Sequence, residues 1–103
     1  MPIYQTAHYR VQESAVADVK QAIETFVAYV AEHEPGSRMY SAWQQADDPT
    51  RFVHLFIFED EAAHRAHGES AAVRRFEDVY RPQLVDGPVV FTDYVQIASN
   101  RDA

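Results

Sequence analysis

Five histidines, at positions 8, 33, 54, 64 and 67, are the side chains of this 103-residue chain best suited to move a proton near neutral pH. There is no cysteine, which excludes disulfides, thiol nucleophiles and thiolate metal sites. His64 and His67 lie three apart, a spacing that places two imidazoles on one face of a helix. Metal binding would need a further ligand, and no HExxH pattern or third partner accompanies them, so no metal is expected. His67 precedes Gly68 at a helix end and is the better pocket candidate, with His64 toward solvent. His54 interrupts an apolar run, where a buried, hydrogen-bonded histidine and a directly acting one are both open readings. His8 lies mid-strand with Tyr4 and Thr6 on its face. His33 suits a helix C-terminus electrostatically. The acids Asp47-Asp48 and Glu59-Asp60-Glu61 sit at corners, where carboxylates are ordinary, and Asp60 is placed to cap a helix. Tyr40, Trp43, Phe76 and Tyr80 could line an aromatic pocket or fill a core.

The elements that must position these groups centre on 51–70, RFVHLFIFEDEAAHRAHGES. Phe52 to Phe58 reads as a strand buried on both faces. An acidic corner and a short helix over 62–67 follow. Before them, 3–11 is a first strand. Ser14 is a candidate N-cap for a helix over 15–33, whose Val16, Val19, Ile23, Phe26, Val27 and Val30 form one apolar stripe. Glu34-Pro35-Gly36 stops that helix. A second strand over 37–46 turns at Asp47-Asp48-Pro49-Thr50 into the strand 51–59, so the two should pair antiparallel. A second long helix runs from Ser70 to about Gln83, with Pro82 disturbing its last turn. Asp86-Gly87-Pro88 reads as a turn and 89–97 as the last strand.

The order β-α-β-β-α-β predicts an α+β, ferredoxin-like sheet with its helices on one face. Phe52, Phe56 and Phe58 oppose Val53, Leu55 and Ile57, so both faces of the central strand are apolar. A second apolar face calls for a second partner, and a homodimer packed sheet on sheet is the simple solution. The reading is a single domain over 1–98 and a loose tail over 99–103.

Composition narrows the function. The apolar fraction of 47% supports a folded core. A formal charge of -7 disfavours nucleic acid, which needs clustered Lys and Arg. No apolar run approaches the roughly 20 residues of a membrane span, and MPIYQTAHYR does not read as a signal peptide. A cytoplasmic protein is expected. No G-x-S-x-G, phosphate-binding loop or dinucleotide glycine fingerprint is present, so no nucleotide or flavin cofactor is indicated.

The order Glu34-Pro35-Gly36, Met39-Tyr40, Asp48-Pro49-x-Arg51-Phe52-Val53 and Phe58-Glu59-Asp60-Glu61-Ala62-Ala63-His64-x-x-His67-x-x-Ser70 resembles the antibiotic biosynthesis monooxygenase domain, which includes small quinol and anthrone monooxygenases. The resemblance implies a dimeric α/β barrel with an apolar pocket between sheet and helices. It implies oxidation of quinol or polycyclic substrates by O2 without metal, flavin or haem. Where family members often carry Glu and Trp in the third strand, this chain has Phe56 and Phe58. The Asn, Trp and His signature of a haem-degrading branch would fall near His8, His67 and Glu77 and does not match, which disfavours haem degradation.

Under that resemblance, a closed-shell substrate must first become an electron-rich anion, because triplet O2 reacts with it only by electron transfer. His67 is the expected pocket base or donor, with His54 or His8 as a second imidazole. Tyr40, Trp43, Phe56, Phe58, Phe76 and Tyr80 would hold a flat aromatic ring, and Arg74 with Tyr80 could steady an oxyanion if both face inward. Two rivals share the fold: a non-catalytic small-ligand or dimerisation module, and an O2-independent isomerase, lyase or cyclase on a polyketide-like substrate. A cavity of some 300–1,000 Å³ beside His67 would favour the enzyme reading, and a filled core there would oppose it as stated.

Overall fold

The computed structural model describes residues 1–101, so the end of the expected tail, positions 102 and 103, lies outside the described residues. Four strands and three α-helices follow one another as β1 (Ile3–Val11), α1 (Val16–His33), β2 (Ser37–Gln44), β3 (Arg51–Phe58), α2 (Glu61–Gly68), α3 (Ala71–Tyr80) and β4 (Leu84–Tyr94). The sheet order is β2-β3-β1-β4, antiparallel throughout. This is the ferredoxin-like arrangement that the order of elements predicts. No described helix is long and apolar enough to cross a membrane.

The helix ends follow local chemistry, with one correction. Ser14 does not cap α1; it lies in a 3-10 turn, Glu13–Ala15, and α1 begins at Val16 with no side-chain cap. At α2, the Asp60 carboxylate accepts the Ala63 N–H at 2.9 Å, and at α3 the Ser70 hydroxyl accepts the Val73 N–H at 3.1 Å. Pro82 sits in a 3-10 turn, Arg81–Gln83, which ends α3 at Tyr80. Its missing N–H cannot continue the α-helical ladder.

A second correction concerns Asp86-Gly87-Pro88. These residues are not a turn before the last strand but part of β4, which starts at Leu84 and ends at Tyr94. Asp86 has φ 61° and Gly87 φ 103°. Around them β1 advances two residues, His8 to Arg10, where β4 covers five, Val90 to Val85. The left-handed residues therefore absorb a bulge, and pairing resumes beyond it. Asp86 accepts from Arg10 at 2.6 Å, which ties the bulge to β1.

The sheet has two unlike faces because side chains alternate along each strand. Phe52, His54, Phe56 and Phe58 of β3 are buried beneath the helices, together with Ala7, Tyr9 and Val11 of β1. The apolar stripe of α1, with Val19, Ile23, Phe26 and Val30, closes on them, and α3 adds Ala72, Phe76 and Tyr80. Val53, Leu55 and Ile57 point the other way and are half-buried. Trp43 and Val90 on that same face are 59% and 57% exposed.

Gly36 joins α1 to β2 where α2 passes closest. A Cβ there would lie 2.6 Å from the Ala63 Cβ. Gly36→Ala should therefore destabilise the protein by about 1–3 kcal/mol through overpacking. Thermal unfolding of Gly36→Ala, Ala63→Gly and the double variant checks this. Adding Ala63→Gly should restore much of the Gly36→Ala loss, and no restoration would rule out the clash as its cause.

Candidate functional site

His54 lies at the middle of β3, and the register builds its surroundings. Its direct cross-strand neighbours on β1 and β2 are Ala7 and Ala42, small side chains that leave room above the sheet. The larger residues that reach it come diagonally. Tyr9 pairs with Phe52 and Tyr40 with Phe56, one step along the same face in opposite directions from His54. The Tyr9 hydroxyl lies 2.8 Å from His54 Nε2 and the Tyr40 hydroxyl 2.9 Å from Nδ1. His54 itself is 1% exposed. Burial disfavours the imidazolium and pushes its pKa down to about 4. Burial likewise raises the phenolic pKa of both tyrosines well above the usual value. All three groups are thus neutral at pH 7.

The second imidazole is oriented by a carboxylate. His67, on α2, donates from Nδ1 to Glu34 Oε1 at 2.7 Å. A carboxylate only accepts, so Nδ1 carries a proton, and in the neutral ring Nε2 is the bare nitrogen. The same Glu34 oxygen accepts the Ser37 hydroxyl at 3.0 Å, while Oε2 is buried without a partner. Glu34 reaches this position because α1 stops at His33 and the chain turns through Pro35 and Gly36 into β2. The His67 ring packs 5.5 Å from Tyr40, 5.6 Å from Phe26 and 5.1 Å from Phe58, measured between centroids.

Both histidines border one cleft between the sheet, α1 and α3, shared with Tyr9, Tyr40, Phe56, Phe76 and Tyr80. Its free volume is about 60 Å³, room for dioxygen or a few waters but below the roughly 300–1,000 Å³ of a pocket for a drug-sized ligand. Phe91, 55% exposed, stands at its edge. Phe26 and Phe76 stack at 5.1 Å and also line a separate hollow of about 480 Å³ between α1 and α3. That ring pair is the wall between the two spaces.

Of the residues singled out from sequence, His54, His67, Tyr40, Phe56, Phe76 and Tyr80 come together around this cleft. Phe58 is fully buried and backs the His67 ring, and His64, expected toward solvent, is half-buried against Phe58 at 4.9 Å. His8 and Trp43 are on the opposite face of the sheet, in an open depression of about 410 Å³. Strand alternation separates His8 from His54, which pairs beside Ala7. Arg74 is exposed on the outer side of α3, so it does not join Tyr80, which is buried. Tyr9 and Glu34 are the site residues that sequence reasoning missed. Among the described residues, no three His, Cys, Asp or Glu side chains converge as a metal site.

Solved structures share this architecture. A protein of Bacteroides thetaiotaomicron named as an antibiotic biosynthesis monooxygenase superposes with a TM-score of 0.89 at 13% identity, covering 99% of this chain and 95% of its own. Similarly named proteins of Nitrosomonas europaea and Caulobacter crescentus both reach 0.85. The first has 23% identity, with 93% of this chain and 90% of its own covered. The second has 18% identity, with 94% and 91% covered. No curated protein matches the chain. The family model described as "Antibiotic biosynthesis monooxygenase" matches residues 2–79, from the first strand to the last turn of α3. That span includes both histidines of the cleft together with Tyr9, Glu34 and Tyr40, and by this match the chain belongs to the antibiotic biosynthesis monooxygenase family.

Proposed function

We propose that the protein is a cofactor-independent monooxygenase that oxidises a small hydroxyaromatic substrate, a quinol, phenol or anthrone, with O2. The observation that carries this reading is the His67–Glu34 pair beside an aromatic cleft. Glu34 fixes the tautomer and the ring, as the orienting acid does for many catalytic imidazoles. His67 Nε2 takes the substrate's acidic proton, leaving an electron-rich anion. That anion gives an electron to O2, and recombination forms a C–O bond. For an anthrone, one oxygen atom ends in the new carbonyl. The other leaves as water with the two methylene hydrogens. Glu34, with one oxygen free of any partner, stabilises the imidazolium while it exists.

A ring system of that size needs more room than 60 Å³. Within this reading, the Phe26–Phe76 wall or Phe91 moves to admit it. The small cavity is also the observation that favours the second reading, a small-ligand-binding or dimerisation module, which needs no room for a ring system. An O2-independent isomerase or cyclase shares the fold but needs the same opening. Oxygen uptake with reduced naphthoquinols and anthrones, chelator present and nothing added, separates them. Uptake above the spontaneous rate supports the monooxygenase; none across the panel, with ligand still bound, moves the assignment to the second reading.

The same reading takes the protein as a cytoplasmic homodimer joined through the open sheet face of Val53, Leu55, Ile57 and Trp43. Sedimentation should find dimers for the wild type and monomers for Trp43→Arg, since an unpaired charge in an apolar interface is costly. A wild type that is monomeric at high concentration would end this part of the proposal.

A further inference from the structure

Among the described residues, the His54 ring nitrogens contact two groups, the hydroxyls of Tyr9 and Tyr40. A neutral imidazole has one N–H and one lone pair, and each hydroxyl has one hydrogen. The three side chains thus hold three mobile hydrogens, and the two contacts between them use two. In either tautomer, one tyrosine donates to the bare nitrogen. The other accepts the N–H and keeps its own hydrogen. No further protein acceptor is hydrogen-bonded to either hydroxyl among the described residues. Both tyrosines line the cleft that His67 borders. Glu77, the one carboxylate on the cleft lining among the described residues, is tied to Arg81 at 2.6 Å.

We infer that Tyr9, His54 and Tyr40 form a charge-neutral donor chain whose spare phenolic O–H receives the oxyanion of a hydroxyaromatic ligand in the cleft. This rests on the proposed reading that such a ring enters beside His67. Tyr40 is the donating end when the ligand is held, because its ring lies 5.5 Å from that of His67, where the proton is removed. His54 is a positioning residue. With its Nδ1–H turned to Tyr40, it holds that oxygen from behind and frees its hydrogen for the ligand. Exchange of the His54 tautomer moves the spare donor to Tyr9 without creating charge in a buried site. The raised phenolic and lowered imidazole pKa values agree with a chain that stays neutral throughout. Donors aimed at a developing oxyanion in a water-poor site are a large source of rate enhancement.

The test uses the whole chain and 4-nitrophenol under anaerobic conditions, with absorbance reporting ionisation of the bound phenol. Wild type should bind the ionised form preferentially. Tyr40→Phe should weaken that preference about 10- to 100-fold, the scale of a hydrogen bond to a charged group. Tyr9→Phe should weaken it less, and the double variant, which has no spare hydroxyl left, should weaken it more than Tyr40→Phe alone. Unchanged ionisation in Tyr40→Phe, or no binding of the phenol by wild type, overturns the chain as donor. Nitrogen-15 shifts of His54 in the wild type provide a second check independent of the variants. A neutral ring exchanging between tautomers is expected, and an imidazolium at pH 7 overturns the inference. Donor-dependent phenolate binding without any oxygen uptake would sink the monooxygenase assignment and leave the donor chain standing.

Discussion

His67→Ala is expected to lower turnover of a hydroxyaromatic substrate by about 10²- to 10⁴-fold, the usual contribution of a positioned general base. The ring sits at the edge of the core, with 11% side-chain exposure, so the fold should survive its removal. Glu34→Gln should give a smaller loss, because the amide can no longer hold an imidazolium by charge. Its signature is a change in kcat with little change in KM, since Glu34 touches His67 but does not itself line the cleft. Steady-state kinetics with circular dichroism on both variants checks this. Turnover of His67→Ala at the wild-type rate would remove His67 from the mechanism. Equal losses in KM and kcat for Glu34→Gln would make its role one of general packing.

The second large effect is on stability in acid. His54 titrates near 4 in the fold and near its ordinary 6.5 when unfolded. Between these values the unfolded chain binds the proton and the native one resists it. Stability from this group is therefore complete above about pH 6.5 and falls as pH drops toward 4. A depression of this size corresponds to about 3 kcal/mol across the window, with burial as its cause. Urea unfolding at pH 7.5, 5.5 and 4.5 should show midpoints that fall with pH in wild type. In His54→Gln, which keeps polar atoms near both tyrosines but cannot become an imidazolium, the fall should shrink. An identical acid loss in the variant would show that other groups carry it.

Much of the framework was legible in the chain itself. Apolar spacing placed α1 and α3, turn residues separated β2 from β3, and Asp60 marked the start of α2. The buried status of His54 followed from its place in an apolar run. Two kinds of feature were not legible. One is a local backbone state: Asp86-Gly87-Pro88 has turn chemistry, yet pairing on both sides turns it into a bulge inside β4. The other is long-range pairing. Glu34 meets His67 across 33 positions and Tyr9 meets His54 across 45, separations at which side-chain type alone says nothing about contact. Glu34 carried only the signal of a helix stop, and Tyr9 that of a strand former. The face occupied by His8 was legible relative to Tyr4 and Thr6, but which face held the helices was not.

The alternation along β3 has a consequence for how such a protein can change over generations. Even-numbered positions 52 to 58 face the cleft side, while 53, 55 and 57 face outward. Substitution at 54 or 56 can alter what the cleft accepts and leave the outer surface as it was. Loss or gain of one residue within the strand exchanges the two sets at a stroke. It would turn His54 outward and drive Val or Leu against Tyr9 and Tyr40. New specificities can therefore arise here by point replacement, while the length of this strand is closed to variation.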